Sequence, residues 1–189
     1  MKAVRYHFYG GSDVLVHEEA DRPVAGAGEV VVRVAGTSYN DADSGLRAGL
    51  RQDLLPLAFP HTPGLDLAGV ITEVGEGVPG WSAGDAVVAL LPADAPGAAA
   101  EYVAAPAGAL APAPRTVEPA DAAALPLVGL TAWQALFDNA DLKPGQSILI
   151  NGAGSAVGGY AVQLAVRTGA TVTATGSGPT ERTGSSTTS

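Results

Sequence analysis

The chain has 189 residues, 47% apolar and 15% charged, so it holds material for a buried core. This composition excludes disorder along the whole chain, which requires low hydrophobicity and high charge. Ten basic against nineteen acidic side chains leave a net charge of −9, which argues against a nucleic-acid partner, and without cysteine there is no disulfide and no thiolate metal ligand.

The N-terminus, Met1 to His7, lacks the apolar core of a signal peptide, and no apolar run approaches a membrane span. The expectation is a soluble, cytoplasmic protein with no membrane partner. Short strands then follow one another between glycines and prolines. Glu29 to Thr37 is valine-rich, and Asp66 to Gly75 reads as a strand in which Gly69 either weakens the pattern or admits another backbone closely. Ala86 to Leu91 follows a turn at Trp81 to Asp85, and Glu101 to Val103 is a further short strand. Close-spaced short strands predict a barrel or sandwich over residues 1–120. The Ala- and Pro-rich stretch Ala93 to Pro114 reads as irregular strand edges.

The period changes at Pro119 to Asp141. Leu125, Gly129, Ala132 and Leu136, with Leu130, Trp133 and Phe137, recur at helical spacing and predict one or two helices, kinked or separated at Pro126. After Lys143-Pro144-Gly145 comes a short apolar strand, Ser147 to Asn151, running straight into Gly152-Ala153-Gly154-Ser155-Ala156-Val157-Gly158. A helix with Val157, Ala161, Leu164, Ala165 and Thr168 on one face follows, ended by Gly169, and Thr171 to Thr175 is a second strand. The tail Gly176 to Ser189 has no apolar residue and reads as disordered.

Gly152, Gly154 and Gly158 form a G-x-G-x-x-x-G pattern, one residue longer than the dinucleotide fingerprint. Glycines at a strand-to-helix turn let backbone N–H groups approach a pyrophosphate where the helix dipole favours negative charge. A plain strand-to-helix turn with no ligand is the alternative. No carboxylate stands about 20 residues on, where NAD sites place the acidic residue that bonds the ribose. This leans toward NADP, with Ser177 as a phosphate contact and Arg182 as a less direct one; alternatively Ser177 belongs to the tail.

Several segments in order carry a family resemblance: Met1 to Tyr6 with Tyr9-Gly10-Gly11, Gly28-Glu29-Val30, Tyr39 to Asp43, Pro63 to Val70, Gly84-Asp85, Ala122 to Pro126, Gly129 to Trp133, and Asn151 to Gly158 with Ala161 to Ala165. With these the chain resembles the N-terminal part of the quinone oxidoreductase (zeta-crystallin-like) branch of the medium-chain dehydrogenase/reductase superfamily. The resemblance implies an α/β protein overall. A GroES-like β-barrel domain (1–120) is followed by the start of a Rossmann domain, a doubly wound parallel sheet (121–177), and a polar tail (178–189). It further implies NADPH as cofactor and hydride transfer to a quinone or α,β-unsaturated carbonyl.

Zinc-containing relatives carry Cys, His and Glu ligands. Here the segment Gly36 to Asp41 has no cysteine and His61 has no partner histidine, so no metal is expected. His7, His17 and His61 read as surface or strand-end residues. By carry-over, Asn40 lies near the nicotinamide, Tyr39 beside the substrate and Thr131 near the cofactor. Gly152, Ala153, Gly154, Ser155, Ala156, Val157 and Gly158 lie under the pyrophosphate. As the catalytic pair, Tyr39 and Asn40 could hold a carbonyl oxygen through their donors as it gains charge. The alternatives are that Tyr39 is a core aromatic, Asn40 a turn residue, and Asp43 the N-cap of a helix from Gly45 to Leu50.

Ser155 stands where the family usually has glycine, which predicts less room for the pyrophosphate. A doubly wound domain needs about six strands, and only two precede the tail. The expectation is therefore a truncated chain with reduced or no activity alone, acting as a homo-oligomer such as a dimer or completed by another chain. The competing reading is a non-redox binding module or a subunit of a split enzyme.

Overall fold

Lys2–Arg5 (β1) and Val16–Glu19 (β2) pair antiparallel, tied by the Arg5–Glu18 ion pair at 2.7 Å. Glu29–Gly36 (β3), Asp66–Val74 (β4), Ala86–Leu90 (β5), Tyr102–Pro106 (β6) and Leu110–Pro112 (β7) build a five-stranded antiparallel sheet in the order β6-β3-β4-β5-β7. β-Branched Val30 and Val32 face a core with Leu67, Ile71, Val87 and Val103, and Val31 on the opposite face is equally inaccessible. Burying each such side chain contributes roughly 1.5–3 kcal/mol, so this strand anchors the sheet from both sides.

Gly69 shows why a glycine interrupts β4. A Cβ there would lie 2.3 Å from the Arg33 carbonyl oxygen, beside an irregularity in the β3–β4 register. Close backbone approach is thus its role. The Ala- and Pro-rich stretch is more regular than expected. β6 pairs with β3 across five consecutive positions, and its prolines are tolerated because β6 and β7 are the edge strands.

The computed structural model describes residues 1–176 and separates two units, Met1–Leu127 and a second beginning at Val128. Ser177, Arg182 and the tail 178–189 lie outside the described residues. In the first unit a short helix, Asp41–Arg47 (α1), leads out of β3, and a turn at Asp121–Ala124 packs Ala122 and Ala123 against Ala68. The expected helix at Gly45 to Leu50 is therefore corrected: α1 begins four residues earlier, because Asn40 takes the cap and Asp43 falls in the first turn.

Pro126–Trp133 (α2) begins at its proline, the position where a missing N–H costs nothing, and runs into a π-helical turn, Gln134–Asn139. The unit boundary falls within α2. Ser147–Asn151 (β8), Ala156–Arg167 (α3) and Thr171–Thr175 (β9) then form a β–α–β unit with β8 and β9 parallel in register from Ser147↔Thr171 to Asn151↔Thr175. Ala132, Leu136, Leu142, Ile150, Ala161 and Ala165 are its buried core.

Candidate functional site

Asn40 sits where β3 gives way to α1, and its surroundings come from three separate pieces of chain. Its Nδ2 donates to Asp66 Oδ2 at 2.9 Å and to Ser38 Oγ at 3.1 Å, and lies 3.4 Å from Asp43 Oδ2. Ser38 Oγ donates to the same Asp66 oxygen. Asp66 is 1% exposed at the start of β4, and its other carboxylate oxygen accepts the Leu127 N–H at 2.7 Å. Asp43 is also buried. Its Oδ1 accepts the N–H groups of Gly64 and Leu65 at 3.0 and 3.1 Å, and its Oδ2 accepts the Asn40 N–H at 3.1 Å. Each carboxylate meets only donors, which is how a buried charge is tolerated.

This geometry bears on the chemistry expected of Asn40. Both amide hydrogens are occupied by oxygen acceptors, which leaves no N–H for a substrate oxygen. Tyr39 differs: it is 72% exposed, so it is no core aromatic, and its hydroxyl makes no hydrogen bond among the described residues. A cleft of about 410 Å³ runs along α1, lined by Ala42, Leu46, Leu50, Leu55, Leu65 and Ala93 among others. Its volume suits a small ligand and its wall is mostly apolar.

Of the two expectations for His61, a surface or a strand-end position, the first is corrected: His61 is buried beside the end of β1. It forms an isolated bridge with Tyr6, and its ring lies 5.3 Å from that of Tyr6. Burial holds the imidazole below its ordinary pKa, against the opposing pull of Asp43 and Asp94. His7 and His17 are exposed as expected, His7 lying 3.0 Å from Glu18. Among the described residues, no three His, Asp or Glu side chains stand together as metal ligands.

In the second unit the glycine turn is closed from β9. Thr175 takes the Ala153 N–H on its carbonyl at 2.8 Å, and its hydroxyl donates to Asn151 Oδ1 at 3.1 Å. Gly152 has φ +76°, and a Cβ on Gly158 would lie 2.2 Å from the Gly152 carbonyl oxygen. These two glycines are required by the turn itself. Gly154 has open space where a Cβ would be. Ser155 caps α3: its hydroxyl accepts the Gly158 N–H at 3.1 Å and donates to the Gly152 carbonyl at 2.8 Å. The expected crowding by Ser155 is therefore met by a side chain folded back onto its own turn. The N–H groups of Gly154, Ala156 and Val157 have no acceptor among the described residues. Three open donors at a helix N-terminus suit an anionic group.

Tyr39 and Asn40 thus belong to the first unit, and Gly152–Gly158 and the exposed Thr131 of α2 to the second. Sequence reasoning missed Asp66, Ser38 and Thr175. The signal for Asp66 was a lone carboxylate inside the apolar run Leu65 to Val70; nothing local marks Ser38 or Thr175.

Residues 26–115 match the alcohol dehydrogenase GroES-like domain. The chain is 41% identical over 181 residues to a chloroplast envelope quinone oxidoreductase homologue of Arabidopsis thaliana, covering 93% of this chain and 55% of that protein. Among solved structures it is similar to an alcohol dehydrogenase superfamily protein from Novosphingobium aromaticivorans (TM-score 0.87, 34% identity, 94% of this chain and 54% of that one). It is also similar to the Escherichia coli quinone oxidoreductase complexed with NADPH (TM-score 0.81, 29% identity, 95% and 53%). The chain spans about half the length of the curated relatives it matches. Among the described residues no helix is long and apolar enough to cross a membrane.

Proposed function

We propose that this chain, which belongs to the quinone oxidoreductase branch of the medium-chain dehydrogenase/reductase superfamily, carries the cofactor turn and part of the substrate site of an NADPH-dependent, zinc-independent reductase. The reaction is hydride transfer from the nicotinamide to a quinone or α,β-unsaturated carbonyl. The observation that carries this reading is the cluster of three unused N–H donors, on Gly154, Ala156 and Val157, at the start of α3. A pyrophosphate fits that cluster because Gly154 leaves open space before it and the Ser155 side chain is turned away into its cap.

β9 reaches Thr175 without a carboxylate, so nothing there repels a ribose 2′-phosphate, which supports NADP over NAD. In this reading the apolar cleft along α1 takes the substrate body and the Tyr39 hydroxyl donates to the oxygen that gains charge. Asn40 lies on the nicotinamide side. The bound nicotinamide supplies the hydride; the chain supplies orientation and electrostatics. Calorimetric titration of the full chain with NADPH and NADH, followed by NADPH consumption with 1,4-benzoquinone, tests this. Binding of NADPH in preference to NADH supports it, and no binding at millimolar NADPH refutes it.

A second reading rests on β8 and β9. No third strand pairs with them among the described residues, and Leu149 is 59% exposed. Open strand edges favour pairing with another chain, as in a homodimer, a completed split enzyme or a non-redox module. Mass in solution tests this association, and a clean monomer at high concentration counts against it.

A further inference from the structure

We propose that Tyr6, His61 and Thr62 form a binding site for one water molecule, which ties the end of β1 and the segment 61–65 to α1. The site lies wholly within the first unit and does not depend on the cofactor.

The three side chains are 1%, 6% and 7% exposed, yet none makes a side-chain hydrogen bond among the described residues. Buried polar groups are nearly always partnered, by protein or by ordered water, so three unpartnered ones together mark a ligand. All three line a single cavity of about 10 Å³, the room that one water requires. Among the described residues, every side-chain polar atom sealed from solvent has a partner. The phenol, imidazole and hydroxyl therefore keep access to water, and the space they share is this cavity. Their backbones are fixed around it. Tyr6 and His61 exchange backbone hydrogen bonds at 2.9 Å in both directions, and the Thr62 carbonyl accepts the Gly97 N–H at 2.7 Å. The Tyr6 ring also packs edge-on against Phe59.

Charge decides which one-atom ligand fits. Burial pushes the Tyr6 phenol up to about 12 and holds the His61 imidazole below 6.5, so both are neutral near pH 7. Asp43 also stands on the cavity wall, but its carboxylate already accepts the N–H groups of Gly64, Leu65 and Asn40. A cation would meet only neutral groups with unused lone pairs. Water meets two hydroxyls that donate and accept, and a neutral ring with one donor and one acceptor. Thr62, Ala95 and Gly97 also border a larger cavity of about 310 Å³, which gives the water a way in. Leu46 and Leu65 line both the small cavity and the cleft along α1, so the water supports a wall of that cleft from behind.

The test uses the full chain. A crystal structure fine enough to show ordered water is expected to hold one water within about 2.6–3.2 Å of at least two of Tyr6 Oη, Thr62 Oγ1 and a His61 ring nitrogen. A dry cavity, or the three side chains bonded to one another instead, overturns the proposal. Magnetic relaxation dispersion of the water oxygen counts long-lived waters in solution and needs no crystal. Tyr6→Phe and Thr62→Val each delete one hydroxyl while keeping the ring or the branched shape. Each is expected to speed the exchange of one long-lived water by about tenfold, and the double variant to lose that water from the count. An unchanged count in the double variant overturns the proposal. Thr62→Ser keeps the hydroxyl and should exchange like the parent; acceleration equal to that of Thr62→Val assigns the effect to packing and overturns the hydrogen-bonding role. If the double variant does not fold, the crystal structure of the parent decides alone.

Discussion

Two glycines of one turn are expected to respond oppositely to the same added methyl. In Gly158→Ala the new Cβ would lie 2.2 Å from the Gly152 carbonyl oxygen and 2.8 Å from Ala153 Cα, below the 3.0 Å limit that real Cβ contacts observe. Both obstacles are backbone, so no rotamer relieves them. Overpacking of this kind costs about 1–3 kcal/mol, here toward the upper end because the turn must shift against α3. Alanine returns about 1 kcal/mol of helix propensity, for a net loss of about 2 kcal/mol. In a unit of this size that lowers the melting temperature by roughly 8–16 °C. Hydrogen exchange read by mass spectrometry on peptides covering β8 and β9 should lose protection by roughly 30-fold, while peptides of the first unit stay unchanged. Gly154→Ala meets open space at a negative φ, so its protection should match the parent, while NADPH binding weakens because the methyl enters the space before the open N–H groups. Unchanged exchange in Gly158→Ala, or equal loss in both variants, refutes the distinction between a packing glycine and a clearance glycine.

Ser155→Ala removes the cap of α3 and should cost about 1 kcal/mol in thermal unfolding, and Ser155→Gly only a few tenths. Asp43→Ala strands the N–H groups of Gly64, Leu65 and Asn40, and should cost about 3 kcal/mol or more in urea unfolding of the first unit. His61 has a folded pKa below its unfolded value of 6.5, so its neutral form is favoured in the fold. Its contribution is complete above that pH and is lost as pH falls below it, and the melting temperature should drop between pH 7 and 5 by more in the parent than in His61→Gln. Burial, reinforced by Tyr9, pushes the Tyr6 phenol from 10.0 up to about 12. Spectrophotometric titration should therefore find Tyr6 ionising late, and stability from this group should be lost as pH rises above 10.

Strands and the β–α–β unit were legible because their signals are local. Valine runs, punctuating glycines and the return of helical period after Gly158 need no knowledge of the rest of the chain. α1 was misplaced because Asn40 and Asp43 are both acceptable caps by residue type. What chose between them was that Asp43 is held by Gly64 and Leu65, more than 20 residues away. The burial of His61 was not legible for the same reason: nothing near it in sequence reveals that Tyr6 and Phe59 pack into one aromatic cluster with it.

The order of residue types alone determined the strand-rich first unit, the glycine turn between β8 and α3, and the family to which both belong, since each depends on short-range period and spacing. Only the tertiary structure decided which way the Asn40 amide faces, that Ser155 caps its own helix, and that Thr175 closes the turn. The physical reason is that the direction of a hydrogen bond depends on what stands opposite. For Asn40 the opposing groups are Asp66 on another strand and Asp43 on the helix it begins.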